Sequence, residues 1–328
     1  MVGKRRAWLA ALLAAATYAV AGPAPAADGS YPERPVRIIV ALGPGSATDS
    51  FARMLAEGLR SELKGDFIVE NKAGAGGVIG GNFIAKAAPD GYTLGVLHSS
   101  VVTSATVIQP AVQYDPRTDF TYLGNTVSNP VVLLVPGASP FKKLEDLIEA
   151  AKKEPGRYNT GIIGMGSHSH FNLELLKSSS GAGLTRVPYS GGTSQILADL
   201  VGNQVDSASL IWAGLTEFIK EGKVRALAAT SPLKGFPDVP TFESKGYPKV
   251  HLEVFLAVVA PPGLPKEISD KLVPAIERIV KNPRSEEMMS RLGYRVNYEP
   301  PAKAAQTIKD ELEFLVPLAK QLSLTVKE

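Results

Sequence analysis

From residue 31 the chain alternates short apolar runs with amphipathic helical stretches, and it does so almost to its end. Residues 36–42 (VRIIVAL) form a nearly continuous apolar run, the pattern of a strand buried on both faces. A helical stripe follows at once. Phe51, Leu55, Leu59 and Leu63 share one face, Met54 lies beside it, and Glu57 and Arg60 take the wet side. Residues 67–69 read as a second strand, 78–88 as a second helix, Pro89-Asp90-Gly91 as a turn and 92–98 as a third strand. That β-α-β-α-β order belongs to a doubly wound sheet, whose ligands sit at the carboxyl ends of the strands.

A second alternation starts near Val131. VVLLVP is a strand ended by Pro136, and Ser139-Pro140 opens the helix FKKLEDLIEAAKK with a serine cap and a proline at its first position. Strands over 158–163, 184–189 and 205–210 take turns with helices over 171–177 and 194–201, and a helix over 215–220 leads into the strand VRALAAT. HLEVFLAVVAP is a further apolar strand, and helical regions over 266–292 and 303–322 flank the candidate strand YRVNYE. Two similar α/β lobes joined by ordered crossings fit this pattern. A chain of about 300 residues is also at the size where one core divides into two.

The first residues are of another kind. Lys4, Arg5 and Arg6 precede an Ala- and Leu-rich run over 8–20, and Ala24-Pro25-Ala26 supplies the small residues a signal peptidase accepts, so residues 1–26 read as an export signal. Cutting there removes three positive charges and no negative ones, which turns 35 basic and 32 acidic residues into 32 of each. The basic balance thus belongs to the leader, and nothing global points to nucleic acid. With no cysteine, the chain has no disulfide, thiol nucleophile or thiolate metal site.

Chemistry concentrates in four loops that join strands to helices. The first, GPGSATD over 43–49, has glycines that let backbone approach a ligand, hydroxyls on Ser46 and Thr48, and the unpaired amides of a helix start. Such a terminus favours a carboxylate or phosphate. Asp49 is either a cap and dipole partner or a group that meets a donor on the ligand. The loop has neither the G-x-G-x-x-G nor the Gly-Lys-Ser/Thr spacing of nucleotide sites. NKAGAGGVIGG from Asn71 is a second anion nest or simply a tight turn. GIIGMGSHSH over 161–170 and VPYSGGTSQ from Val187 repeat the arrangement in the second half. A cleft gripped from both sides follows.

Enzyme readings find little support in the same residues. No G-x-S-x-G nucleophile elbow occurs. His168 and His170 form an H-x-H, but His98 and His251 are remote in sequence, so neither a metal site nor a cofactor is expected. Asp206 is either a ligand-facing carboxylate or a turn residue. No nucleophile, base and orienting acid assemble.

These residues carry a resemblance. YPERPVRIIVALGPGSATD, then VENKAGAGGVIGGNFIAKAAPDGYTL, GMGSHSHFNLELL and VPYSGGTSQILADLVGNQVD resemble the Bug (TctC-like) family of tripartite tricarboxylate transporter solute-binding receptors over essentially the whole mature chain. The resemblance implies a two-lobed periplasmic-binding-protein (Venus flytrap) fold with a mostly parallel doubly wound sheet in each lobe. Lobe 1 would take 31–128 plus 253–328 and lobe 2 would take 129–252. It implies a periplasmic, monomeric receptor that closes over a small organic carboxylate (a dicarboxylate, a tricarboxylate or an aromatic acid) in the cleft between its lobes and hands it to integral-membrane transporter subunits, with no cofactor. Carried over by motif, the ligand-binding residues are Pro44, Gly45, Ser46, Thr48 and Asp49 from the first loop, Ser167 and His168 from G-S-x-x-H, Tyr189 and Thr193 from the Tyr-x-Gly-Gly region, and Asp206 from G-x-x-D. Ser46 stands where relatives carry a second glycine, and Ser190 where they carry lysine. The alternatives are an exported hydrolase or isomerase using a histidine base, and a ligand sensor that docks to a signalling kinase.

Overall fold

In a computed structural model, residues 31–189 and 192–324 are described, so the export signal read over 1–26, with Ser190 and Gly191, lies outside the described residues. The alternation produces two sheets. The first contains β1 (Val36–Val40), β2 (Phe67–Asn71), β3 (Thr93–His98), β4 (Thr121–Asn129), β10 (Val254–Ala260) and β11 (Arg295–Glu299), in the order β11-β4-β10-β3-β1-β2. The second holds β5 (Val131–Pro136), β6 (Asn159–Ile163), β7 (Thr185–Tyr189), β8 (Ser207–Ile211) and β9 (Val224–Ala229), in the order β7-β6-β8-β5-β9. Helices cover the sheets, and the architecture is the expected two-lobed α/β fold, except that both sheets are mixed where mostly parallel ones were expected, because the strands at the crossings run against their neighbours. Parallel pairing holds β1 to β2 and β3, and β6 to β7 and β8. Antiparallel pairing enters at β10, β11 and β5, next to the places where the chain passes between sheets.

Strand polarity decides where the loops go. β4 ends at Asn129 and β5 starts at Val131, with Pro130 between them. The carboxyl edge of the first sheet therefore turns toward the second. Val131 pairs with Ile211, so the start of β5 lies beside the carboxyl end of β8. The strand-to-helix loops of both sheets consequently point toward one region.

β1 alternates its faces with period two. Val36, Ile38 and Val40 join a core with Phe51, Leu55 and Leu59 of α1 (Ala47–Leu63) and Leu272 and Ile276 of α9 (Lys266–Val280). Ile39 faces the other core, which runs without a break into Leu133, Phe171 and Leu227 of the second sheet. Ile308, Leu312 and Leu315 of α11 (Pro301–Gln321) join this shared core, so the last helix packs on material from both sheets.

Four local expectations change. β4 escaped the sequence reading because its TYLGNTVSN stretch is polar, yet Asn125, Thr126, Ser128 and Asn129 are all buried. Two short helices, α3 (Ser99–Val102) and α4 (Ser104–Ile108), follow β3 where no element was expected. α5 (Leu144–Lys153) starts four residues beyond Pro140, because the Asp146 carboxylate accepts from the Lys142 and Lys143 amides at 2.8 and 3.1 Å. Ser139 instead closes a turn by accepting from the Phe141 amide. The region 266–292 is two helices, since Asn282 caps α10 (Pro283–Arg291), which opens on proline.

Candidate functional site

The loop over 43–49 is held from beneath. Ser46 is the N-cap of α1, its Oγ accepting from the Asp49 amide at 3.1 Å. The buried Asp49 side chain accepts from the Gly45 amide at 3.0 Å, from Arg53 Nε and Nη2 at 2.9 and 3.1 Å, and from Asn71 Nδ2 at 3.0 Å. Asn71 also donates to the Leu42 carbonyl, tying β2 to the same loop. Burial alone would raise the Asp49 pKa, but the hydrogen bonds from Arg53, Gly45 and Asn71 outweigh it and hold it below the ordinary carboxylate value. Asp49 is therefore committed to the loop. Thr48 is buried, while Pro44 and Gly45 are exposed and Ser46 is half-buried. The amides of Ala47 and Thr48 have no acceptor among the described residues.

The loop over 164–170 repeats this construction in the second sheet. Ser167 is the N-cap of α6 (His168–Ser180), its Oγ accepting from the His170 amide at 3.1 Å. The His168 and Ser169 amides are left without an acceptor among the described residues. His170 is fully buried, and its Nδ1 accepts from the Gly166 amide at 3.0 Å, so the proton of the neutral ring sits on Nε2. Burial pushes its pKa down to about 4. His170 thus shapes the loop and is closed off from the cleft. Gly166 has φ +76°, and a side chain there would overlap Ile108 of α4, so this loop abuts the first sheet's helices.

His168 is 3% exposed, and its Nε2 lies 2.7 Å from Glu311 Oε1 on α11. The same oxygen accepts from Thr103 Oγ1 at 3.3 Å. His98, remote in sequence, is brought close enough for its pKa to be pushed down to about 3, first by burial and then by His168. His251 is exposed, its Nδ1 bonded to the Lys249 carbonyl.

The remaining expected residues divide. Thr193, in the first turn of α7 (Gly192–Val201), lines a cavity with Ala213 and Gly214. The Tyr189 hydroxyl donates to Asp199 Oδ2 at 2.7 Å, so it braces α7, and burial followed by that bond raises its pKa to about 12. Asp206 stands away from the others. Its Oδ2 accepts from the Asn159 amide at 2.7 Å, at the amino end of β6, whereas the loops leave from the carboxyl ends. The sequence reading missed a fifth loop, Trp212 to Leu215 after β8. Its Trp212 amide donates to the Pro130 carbonyl, and its Ala213 presses on Gly293. An aromatic and a glycine between a strand and a helix were the available signal.

Comparison with known proteins shows which family the chain belongs to. The model of the tripartite tricarboxylate transporter family receptor matches residues 51–324. The chain belongs to that family. Protein BugT of Bordetella pertussis is 31% identical over 307 residues, 93% of this chain and 94% of BugT. The structure of the periplasmic binding protein BugD has a TM-score of 0.71 at 33% identity, covering 90% of this chain and all of BugD. MatC of Rhodopseudomonas palustris, solved with bound malate, has a TM-score of 0.70 at 30% identity over 88% of this chain and 99% of MatC. A tricarboxylate transporter receptor works in the periplasm alongside a membrane transporter, and it is a binding protein rather than an enzyme.

Proposed function

We propose that this receptor captures a small organic carboxylate between its two sheets and delivers it to integral-membrane transporter subunits. One carboxylate is received by the free first-turn amides of α1 (Ala47 and Thr48) and of α6 (His168 and Ser169). The paired construction of these two helix starts, each capped by a serine that leaves two amides unengaged, carries the reading. Pro44, Gly45, Ser46, Thr48, Ser167, His168 and Thr193 form the ligand-facing set. Asp49 and Tyr189 brace it, and Asp206 is left out because it lies at the other end of its sheet. Relatives solved with malate and with adipate support the carboxylate class.

In this reading lobe 1 is residues 31–128 plus 253–328 and lobe 2 is 129–252. The two close as a hinge around the solute, and the receptor works as a monomer without nucleic acid. Native mass spectrometry of freshly purified protein, with melting and scattering across a carboxylate panel, tests it. A retained carboxylate, a raised Tm and a smaller radius are expected. No change in any of the three across the panel sinks the proposal.

A further inference from the structure

The parallel neighbours β1 and β3 send their loops off the same edge of the first sheet. Val40 pairs with Val96, so His98, the last residue of β3, stands level with Leu42, just before the 43–49 loop. His98 itself pairs with Leu256 of β10, so the alternation of the strand runs through to it. Leu94 and Val96 join Val40 in the core that α1 covers. Period two puts His98 on that same face, at the end where α1 begins. The second sheet is near as well. His168 opens α6, and it stands close enough to His98 to add to the burial that lowers the His98 pKa.

The ring of His98 is fixed and its proton placed. The Ser100 amide donates to Nδ1 at 3.2 Å, and the Ser100 hydroxyl lies 2.9 Å from the same atom. Nδ1 thus carries the lone pair, and the proton of the neutral ring sits on Nε2. With a pKa pushed down to about 3, the ring stays neutral at pH 7. Nε2 has no hydrogen-bond partner among the described residues. The other loop histidines are spent: His168 Nε2 is bonded to Glu311, and His170 is sealed in the interior. His98 is half-buried. Of these three rings, only His98 has an N–H left for a guest.

We propose that His98 is a ligand-binding residue, its Nε2–H donating to an oxygen of the carboxylate received by the first-turn amides of α1 and α6. The inference rests on the carboxylate-receptor reading and adds to its site a third element, β3, that none of the sequence motifs marked. A neutral donor fixed by its own helix cap brings direction to the clamp without adding charge.

Two substitutions separate the donor from the cap. In His98→Asn the side-chain oxygen can still accept from the Ser100 amide, but nothing reaches the position of Nε2. In His98→Gln the amide nitrogen reaches that position and the cap is lost. Malate, adipate, citrate and benzoate are titrated calorimetrically at pH 7 against the full chain and both variants, with Tm recorded alongside. For whichever acid the parent binds, His98→Asn should weaken binding about ten- to hundredfold, the worth of one hydrogen bond to a charged acceptor, at nearly unchanged Tm. His98→Gln should lower Tm yet bind within about threefold of the parent. In the 15N-labelled parent, the His98 Nε2–H proton, assigned by its loss in His98→Asn, should move downfield and resist exchange on saturation. Full affinity in His98→Asn, equal weakening in the two variants, or an unmoved Nε2–H signal overturns the inference and leaves the receptor reading standing. A parent that binds none of the four acids removes both.

Discussion

Replacing Glu311 tests whether the 164–170 loop of the second sheet is held by the last helix. Glu311 Oε1 accepts from His168 Nε2 at 2.7 Å and from Thr103 Oγ1 at 3.3 Å, with all three side chains buried. Thr103 has another acceptor in the Ser99 carbonyl at 2.9 Å, so truncation orphans only the His168 N–H. An orphaned buried donor costs about 1–3 kcal/mol, and Glu311→Ala also leaves a small void, so a loss of about 2–4 kcal/mol is expected. In Glu311→Gln the amide oxygen still accepts from His168, and the loss should stay near 1 kcal/mol. Urea unfolding of both variants measures this, and carboxylate titration reads the consequence for the His168 and Ser169 amides. Equal losses in the two variants would show that the charge matters and refute the hydrogen-bond account. A Glu311→Ala midpoint within error of the parent would refute the strap altogether.

Further outcomes follow from the same contacts. His98 and His170, pushed down to about 3 and about 4 from 6.5, stay neutral in the fold while the unfolded chain takes up protons first. Their contribution is complete above pH 6.5 and declines as pH falls toward 4 and below, and His170→Asn should flatten the Tm-against-pH curve in that window. Ser46→Ala and Ser167→Ala each remove an N-cap bond and should cost about 1 kcal/mol in urea unfolding, with the double variant additive because the caps sit in separate sheets. An unchanged midpoint in either would mean the serine is not the cap that organises its loop. Asp206→Asn should leave carboxylate affinity as it is, since Asp206 bonds only the far end of β6, and a several-fold change in Kd would restore it to the site.

Much of the architecture was legible because its signals are local. Apolar runs and helical stripes marked most of the strands and helices, and the first loop's serine and glycines pointed to a helix start, which the structure has at Ala47. β4 was not legible, because a polar stretch buried by its neighbours has no apolar signature of its own. The loop histidines were ambiguous for a similar reason, since residue type does not say whether a ring faces a ligand or accepts from its own loop's amide, as His170 does from Gly166.

By itself, then, the sequence determined the α/β alternation, the glycine- and serine-rich strand-to-helix loops and the absence of thiol chemistry, all properties of residues near one another along the chain. Only the tertiary structure decided which loops meet, that His98 and Glu311 stand by His168, that Asp49 is spent inside its loop, and that Asp206 is at the far edge. Most of those facts depend on strand order and polarity, which bring together Asp49 and Asn71, Asn159 and Asp206, or His168 and Glu311, 22, 47 and 143 positions apart, and leave no periodic trace in the chain.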